Sequence, residues 1–230
     1  MEQVKVGVVI VAGGSGSRMG GSLPKQFALI GGEPILVRTI NTFAAALPTA
    51  KIVVVLPESQ VDFWKNYSAR FRTAHHTVVT GGSQRFHSVK NGIEAITEWV
   101  DIIAVQDGVR PFASKELILR CVECAVANGS AIPVVDAVDS FRVITEDGGS
   151  RITDRSALRV VQTPQVFEAS LIRAAYDTQF DLSFTDDASV VESTTPHKVS
   201  LCQGERRNIK ITTPDDMVIA EAFVRAEREE

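Results

Sequence analysis

Residues 8–26 of the chain read VVIVAGGSGSRMGGSLPKQ, an apolar, β-branched run followed by a glycine-rich stretch and Lys25. The run from Val8 to Val11 predicts a buried strand, and the glycines and serines after it predict a tight turn at its carboxyl end. Glycines let backbone N–H groups approach an anion closely, and Arg18 and Lys25 add positive charge. The stretch therefore predicts a strand that leads into a loop able to hold a triphosphate.

The spacing in this loop excludes the two commonest phosphate-binding motifs. A Walker A loop places its lysine directly after a glycine and before Ser or Thr, whereas Lys25 lies between a proline and Gln26. A dinucleotide fingerprint that starts at Gly14 and Gly16 needs a third glycine where Met19 stands, which disfavours an NAD-dependent dehydrogenase. Taken alone, the loop also fits an ordinary connection between a strand and a helix.

Length and composition restrict the class of protein. The chain has 230 residues, of which 44% are hydrophobic and 23% are charged, and its formal net charge is −4. We therefore expect a single α/β domain over residues 1–230. An acidic chain lacks the basic field that nucleic acid or an anionic membrane requires. No apolar run approaches the roughly 18 residues of a membrane span and no signal peptide is recognisable, so we expect a cytoplasmic protein without nucleic-acid or membrane partners.

Apolar, β-branched runs alternate with segments of helical periodicity along most of the chain. Strands are predicted at Val4–Val11, Lys51–Leu56, Thr77–Thr80, Ile102–Gln106 and Ser130–Val135, and helices at Ile35–Ala45, Gln60–Phe71, Ser83–Thr97, Ser114–Asn128, Glu168–Gln179, Asp186–Val191 and Pro214–Val224. This alternation is typical of a Rossmann-like, mostly parallel sheet with helices on both faces. Ligands of such sheets bind outside the carboxyl ends of the strands, so we expect the loops after those ends to form the site.

One segment, residues 139–161, breaks the alternation. Two extended runs flank Glu146-Asp147-Gly148-Gly149-Ser150, a turn sequence typical of a β-hairpin. A hairpin beside an α/β sheet leaves strand edges exposed unless something covers them. We therefore expect a protruding β-arm over residues 139–161 through which two copies of the chain form a homodimer.

The glycine-rich loop and six further motifs occur in the order found in one enzyme family. The loop has the pattern A-G-G-x-G-x-R-M-G with P-K-Q downstream, and the other motifs are residues 81–89 (GGSQRFHSV), 107–112 (DGVRPF), 153–155 (TDR), 162–165 (QTPQ), 185–189 (TDDAS) and 208–212 (NIKIT). Over nearly its whole length the chain thus resembles the pyrophosphorylase-type nucleotidyltransferases, and most closely the cytidylyltransferases that act on 2-C-methyl-D-erythritol 4-phosphate. The resemblance implies transfer of CMP from CTP to that polyol phosphate, with release of pyrophosphate, in non-mevalonate isoprenoid biosynthesis.

The resemblance also implies roles for individual residues. The implied catalytic cations are Arg18 and Lys25, on the triphosphate, and Lys210, between CTP and the acceptor phosphate. Contacts with the nucleotide are implied for Ala12, Gly13, Gly14, Gly16, Gly81, Gly82, Ser88 and Asp107, and contacts with the acceptor for Arg110, Asp139, Ser140, Arg155, Thr185 and Asp186. Asp107 is also the implied ligand of Mg²⁺, an ion that keeps several waters and needs few protein oxygens. In the family, the arginine that matches Arg155 reaches the acceptor phosphate of the neighbouring subunit.

Two alternatives stay open at this point. Ribitol-5-phosphate cytidylyltransferases share the first loop, the Arg-Pro-Phe segment and the Thr-Pro-Gln motif, although residues 153–156 and 185–189 look more like the methylerythritol enzymes. A regulatory domain that senses CTP without turnover would need the same nucleotide contacts. The chain departs from many family members at Gln106, where they carry histidine, and we expect little effect on the chemistry.

Overall fold

The computed structural model of the chain describes residues 4–13 and 23–229. Its strands are β1 (Val6–Val11), β2 (Leu29–Ile30), β3 (Glu33–Pro34), β4 (Lys51–Leu56), β5 (Thr77–Thr80), β6 (Ile102–Asp107), β7 (Ser130–Asp136), β8 (Phe141–Ile144), β9 (Ser150–Thr153), β10 (Arg159–Val161), β11 (Gln165–Glu168) and β12 (Leu201–Gln203). Its helices are α1 (Ile35–Ala46), α2 (Glu58–Ser68), α3 (Arg85–Glu94), α4 (Lys115–Asn128), α5 (Ala169–Tyr176), α6 (Asp187–Thr194) and α7 (Pro214–Glu229), with short 3-10 helices at Lys25–Phe27 and Arg155–Ala157. The predicted strands and helices all have counterparts within a few residues of their expected bounds.

The central sheet has the strand order β10-β7-β11-β6-β1-β4-β5, and β12 pairs with β7. β1 pairs in parallel with both β4 and β6, and β4 pairs in parallel with β5. β11 lies antiparallel between β6 and β7, and β10 is antiparallel to β7. The mostly parallel α/β sheet is therefore confirmed, with two reversed strands that the hydrophobic pattern did not reveal.

Helices cover the sheet on both faces, so the central strands are buried on both sides. Val8 and Ile10 of β1 pack in one cluster with Leu36 of α1, whereas Val9 packs in another cluster with Val89 of α3. This division follows from the alternation of side chains along a strand. All five side chains are fully buried, which fixes the carboxyl end of β1 where the loop begins. Within residues 4–13 and 23–229, none of the helices combines the length and apolar character needed to cross a membrane.

A third apolar cluster holds the carboxyl-terminal helix against the rest of the domain. It joins Val224 and Ala220 of α7 to Val109, which follows β6, and to Ile211. Ile211 is fully buried, and its N–H donates to the carbonyl of Val109 at 3.0 Å. The backbone next to Lys210 is thereby anchored beside the end of β6.

The hairpin predicted within residues 139–161 is present as β8 and β9. These strands pair with each other and not with the central sheet, and Gly148 has a φ of 81° in the turn, a conformation that favours glycine. The last part of the predicted arm belongs to the central sheet and not to the hairpin, because β10 pairs with Val134–Asp136 of β7. β11 pairs only with Ser130 and Ala131 of β7, so the second half of β7 is left for β10.

A buried Trp64 and a half-buried His76 form a hydrogen-bonded pair. The Trp64 indole N–H donates to Nε2 of His76 at 3.0 Å, and Nδ1 of His76 lies 2.8 Å from the carbonyl of Ala74. These partners require neutral imidazole with its proton on Nδ1. Burial lowers the pKa of His76, outweighing the contact with Ala74, which raises the pKa.

The expected result is that the free energy of unfolding falls as the pH drops through 6.5, the ordinary imidazole pKa. Below this pH the unfolded chain takes up a proton at His76 that the folded chain resists, so acid favours unfolding. Urea unfolding of the parent and of His76→Asn at pH 7.5 and 5.5 measures this, and the parent should lose more stability on acidification. Equal losses would contradict the assignment.

Candidate active site

The strand order reverses at β1, which is where a ligand crevice is expected in an open parallel sheet. β4 and β5 lie on one side of β1 and β6 lies on the other. The carboxyl ends of these strands bring Ala12 and Gly13 after β1, Gly82 after β5 and Asp107 of β6 to one cavity of about 330 Å³. Of the predicted site residues, this cavity is lined by Ala12, Gly13, Lys25, Gly82, Ser88, Asp107 and Lys210. The predicted convergence of distant motifs at the carboxyl edge is confirmed for the described residues.

The Gly81-Gly82 turn lies directly on the first turn of α3. A Cβ at Gly81 would meet Oγ of Ser88 at 2.7 Å, and a Cβ at Gly82 would meet Cβ of His87 at 2.3 Å, so neither position has room for a side chain. The Ser88 hydroxyl accepts from the N–H of Gly82 at 3.2 Å and donates to the carbonyl of Gln84 at 3.1 Å. Ser88 therefore holds the turn in place, and its contact with a base stays a prediction.

The backbone at Ala12, directly after β1, is held by a residue that was not among the predicted site residues. Gln26 is 1% exposed, and its Nε2 donates to the carbonyl of Ala12 at 3.0 Å and to Oε1 of Gln60 at 2.7 Å. The carbonyl can only accept, which identifies the donating atom as nitrogen. Its neighbour Lys25 is thus placed in the cavity wall by an anchored 3-10 helix. Its position in the P-K-Q motif is the feature of the sequence that could have identified Gln26 as a residue of the site.

Three cationic side chains surround the carboxylate of Asp107. Nζ of Lys210 lies 3.0 Å and Nε of Arg110 lies 3.3 Å from Oδ2, whereas Nε of Arg85 lies 3.8 Å from Oδ1. Burial raises the pKa of Asp107, but the charges of Arg85, Lys210 and Arg110 outweigh burial and hold the pKa below its ordinary value. Asp107 is therefore a stable anion that holds three cations at one point.

Arg85 is held from its other side by a buried carboxylate. Its two terminal nitrogens donate to the two oxygens of Asp187 at 2.8 and 2.7 Å, and the Tyr176 hydroxyl donates to Oδ1 of Asp187 at 2.6 Å. Burial opposes the charge of Arg85, but Asp187 outweighs it, so the pKa of Arg85 is raised. Such a bidentate pair fixes the plane of the guanidinium. Arg85 belongs to the GGSQRFHSV motif, yet it was not among the predicted site residues.

A second cavity of about 320 Å³ adjoins the first, and both are lined by Arg85, Asp107 and Lys210. Three residues predicted to bind the acceptor, Arg110, Thr185 and Asp186, line this second cavity. The Asp186 carboxylate caps α6 through the N–H of Ser189 at 2.8 Å and accepts from Nε2 of Gln165 at 2.8 Å. The site therefore consists of two compartments that meet at one group of charges.

The other predicted residues lie elsewhere. Asp139, Ser140 and Arg155 are exposed and line neither cavity, and Nη1 of Arg155 donates to the carbonyl of Val138 at 2.8 Å. Gly81 packs closely against Ser88 and does not line the first cavity. Arg18, Gly14 and Gly16 lie outside the described residues, so their roles stay predictions.

Comparison with known proteins identifies the family of the chain. The profile of the 2-C-methyl-D-erythritol 4-phosphate cytidylyltransferase family, IspD, matches residues 6–226. A protein of that name from Phocaeicola vulgatus is 47% identical over 218 residues, which are 94% of this chain and 98% of the relative. One from Syntrophus aciditrophicus is 39% identical and covers 97% of each chain.

Solved structures give the same result. The 4-diphosphocytidyl-2C-methyl-D-erythritol synthase from Anaerococcus prevotii superposes with a TM-score of 0.82 at 29% identity, over 96% of this chain and 99% of that one. The 2-C-methyl-D-erythritol 4-phosphate cytidylyltransferase from Thermus thermophilus superposes with a TM-score of 0.77 at 30% identity, over 96% of this chain and 100% of that one. The chain therefore belongs to the 2-C-methyl-D-erythritol 4-phosphate cytidylyltransferase family.

Proposed function

We propose that this chain transfers CMP from CTP to the phosphate of 2-C-methyl-D-erythritol 4-phosphate, forming 4-diphosphocytidyl-2-C-methyl-D-erythritol and pyrophosphate. The observation that carries the proposal is the pair of adjoining cavities that share Lys210, Arg85 and Asp107. A reaction between two phosphorylated substrates needs two binding compartments and positive charge where they meet. The chain offers both at the carboxyl edge of its sheet.

The reaction is a displacement at the α-phosphorus of CTP by a phosphate oxygen of the acceptor. A bond forms between that oxygen and the α-phosphorus, and the bond to the bridging oxygen breaks, so pyrophosphate leaves with the electron pair. The acceptor phosphate is already ionised at neutral pH, so no general base is needed. The protein has to bring two anions together and stabilise charge on the α-phosphoryl group. Lys25 lines the first compartment and Lys210 lines both, which suits these tasks.

Mg²⁺ is part of this proposal, and Asp107 is the residue that would hold it. Oδ1 of Asp107 lies 3.8 Å from Nε of Arg85, beyond hydrogen-bonding distance. The described residues contain no cluster of three or more His, Cys, Asp or Glu side chains able to form a complete metal site. One carboxylate oxygen fits an ion that takes its other ligands from phosphates and water. When bound, the ion would neutralise charge on the triphosphate.

The proposed enzyme acts as a homodimer in which each arm serves the partner's site. Ile144 of β8 and Ile152 of β9 are 74% and 78% exposed, and β8 and β9 have no pairing with the central sheet. Large apolar side chains exposed on one face of a hairpin are typical of a surface that another chain covers. Arg155, at the base of this hairpin, lines neither cavity of its own chain.

Pyrophosphate release tests the substrate. The purified chain is mixed with CTP, Mg²⁺ and either 2-C-methyl-D-erythritol 4-phosphate or ribitol 5-phosphate, with Lys210→Met as the control for contaminating activity. We expect stoichiometric pyrophosphate with the first acceptor and a kcat/KM at least about tenfold lower with the second. Equal turnover of the two acceptors would contradict the proposed substrate. CTP binding without pyrophosphate release from either acceptor would identify a sensing domain instead.

A further inference from the structure

The segment that carries Lys210 is fixed by a buried side chain two residues earlier. Asn208 is fully buried and lines neither cavity. Its Nδ2 donates to the carbonyl of Thr163 at 2.8 Å. Because that carbonyl can only accept, the atom facing it is the amide nitrogen. Asn208 therefore ties the Lys210 segment to the QTPQ segment, 45 residues away in the chain.

The backbone of Asn208 is held as well, and by a residue of the charged group. Nη1 of Arg110 donates to the carbonyl of Asn208 at 2.8 Å, and Nε of the same guanidinium lies 3.3 Å from Oδ2 of Asp107. Arg110 is thus engaged on two sides, and its side chain is only 11% exposed. This arrangement makes Arg110 a link between Asp107 and the Lys210 segment.

Thr163 closes the connection on the other side. Its hydroxyl accepts from the N–H of Asp107 at 3.0 Å, while its carbonyl accepts from Asn208. The contacts form a ring that runs from Asp107 through Arg110, Asn208 and Thr163 back to Asp107. The residue that binds the Lys210 ammonium and the backbone that carries Lys210 are therefore held in one frame.

We propose that Asn208 is a positioning residue for Lys210, and that its carboxamide sets the place where the ammonium meets the two cavities. Lys210 has a flexible stem and its side chain is 43% exposed, so its own packing fixes the ammonium poorly. The ring of contacts holds both the backbone that carries Lys210 and the carboxylate that binds its ammonium. This inference rests on the proposed function only where acceptor kinetics are used.

The first test measures Lys210 without catalysis. Wild type, Asn208→Ala and Ser130→Ala are treated with a limiting amount of an amine-acylating reagent, and the acylation rates of Lys210 and Lys65 are compared by peptide mass spectrometry. Ser130 is a matched control, because it is fully buried and hydrogen-bonded to His197 at the amino end of β7. Asn208→Ala should raise the ratio of Lys210 to Lys65 labelling about fivefold, the scale of one lost hydrogen bond. Ser130→Ala should leave the ratio unchanged.

The second test separates positioning from general destabilisation. Asn208→Ala should raise KM for the acceptor about fivefold and change KM for CTP by less than about twofold. In a Lys210→Met background, where the affinity for the acceptor is measured by calorimetry because turnover is lost, the same substitution should change the acceptor Kd by less than about twofold, since the group that it positions is already gone. Equal effects in both backgrounds, or an unchanged labelling ratio, would overturn the proposal. Raised labelling without any cytidylyl transfer would overturn the proposed function alone.

A second pair of variants serves if Asn208→Ala does not fold. Thr163→Val removes the hydroxyl that accepts from Asp107, whereas Thr163→Ser keeps it. The valine variant should show the increase in Lys210 labelling and the serine variant should not. Identical labelling of Lys210 in the two variants would contradict the ring of contacts.

Discussion

A Lys25→Met variant is expected to lose a factor of about 10²–10³ in kcat, with a much smaller change in KM for CTP. Lys25 lines the first cavity, and Gln26 and Phe27 beside it are 1% and 0% exposed, so its backbone is anchored. A lysine on an anchored backbone at this cavity is expected to act most on the charge that develops during the displacement. Steady-state pyrophosphate release at varied CTP measures both constants.

Lys65→Met is the matched control for Lys25→Met. Lys65 lies on α2 and pairs only weakly with Asp62, at 3.5 Å on the surface, so its removal should leave kcat unchanged. By resemblance, Arg18→Met should behave like Lys25→Met. A Lys25→Met enzyme with nearly normal kcat would remove this lysine from the catalytic group.

Activity should return when two inactive variants exchange subunits. Arg155→Ala should lose acceptor use but keep CTP binding, because a guanidinium able to pair with phosphate is removed while no buried contact is lost. Lys25→Ala should be inactive for a different reason, because it lacks the lysine that lines the first cavity. In a mixed dimer, one site has an intact Lys25 from one subunit and an intact Arg155 from the other. With random pairing about half the dimers are mixed, so about a quarter of full activity is expected.

This experiment can be interpreted only when the exchange of subunits is shown directly. Differently tagged subunits should be recovered together after mixing, and Arg151→Ala, a change to an exposed arm arginine with no assigned role, should be active without a partner. Continued inactivity after proven exchange would place Arg155 in the site of its own subunit. The arm would then have no part in the reaction.

Much of the first compartment was predictable because it follows from local pattern and one general rule. The run to Val11 predicted β1, and the rule for parallel sheets placed the loop, the Gly81-Gly82 turn and Asp107 together. Lys210 was predicted by resemblance, and its 3.0 Å contact with Asp107 was not, because it depends on the path of a segment more than 100 residues away.

The remaining features depend on packing between distant segments. Arg85 lies 102 residues from Asp187 in the chain. The sequences at the starts of α3 and α6 do not indicate that these two side chains pair. β11 lies antiparallel between β6 and β7, and the alternation of side chains along a strand does not indicate its direction. A contact of Arg155 with a second copy of the chain depends on the assembly of two chains, and it stays a prediction that subunit exchange tests.

The charges around Asp107 bear on how binding responds to ionic strength. The carboxylate already serves as counterion to Lys210, Arg110 and Arg85. A phosphate that contacts one of these cations replaces the carboxylate of Asp107 as its partner. It does not displace a dissolved anion. Because fewer dissolved ions are exchanged, the affinity for phosphorylated ligands should depend less steeply on salt than it would at an uncompensated cluster of the same cations.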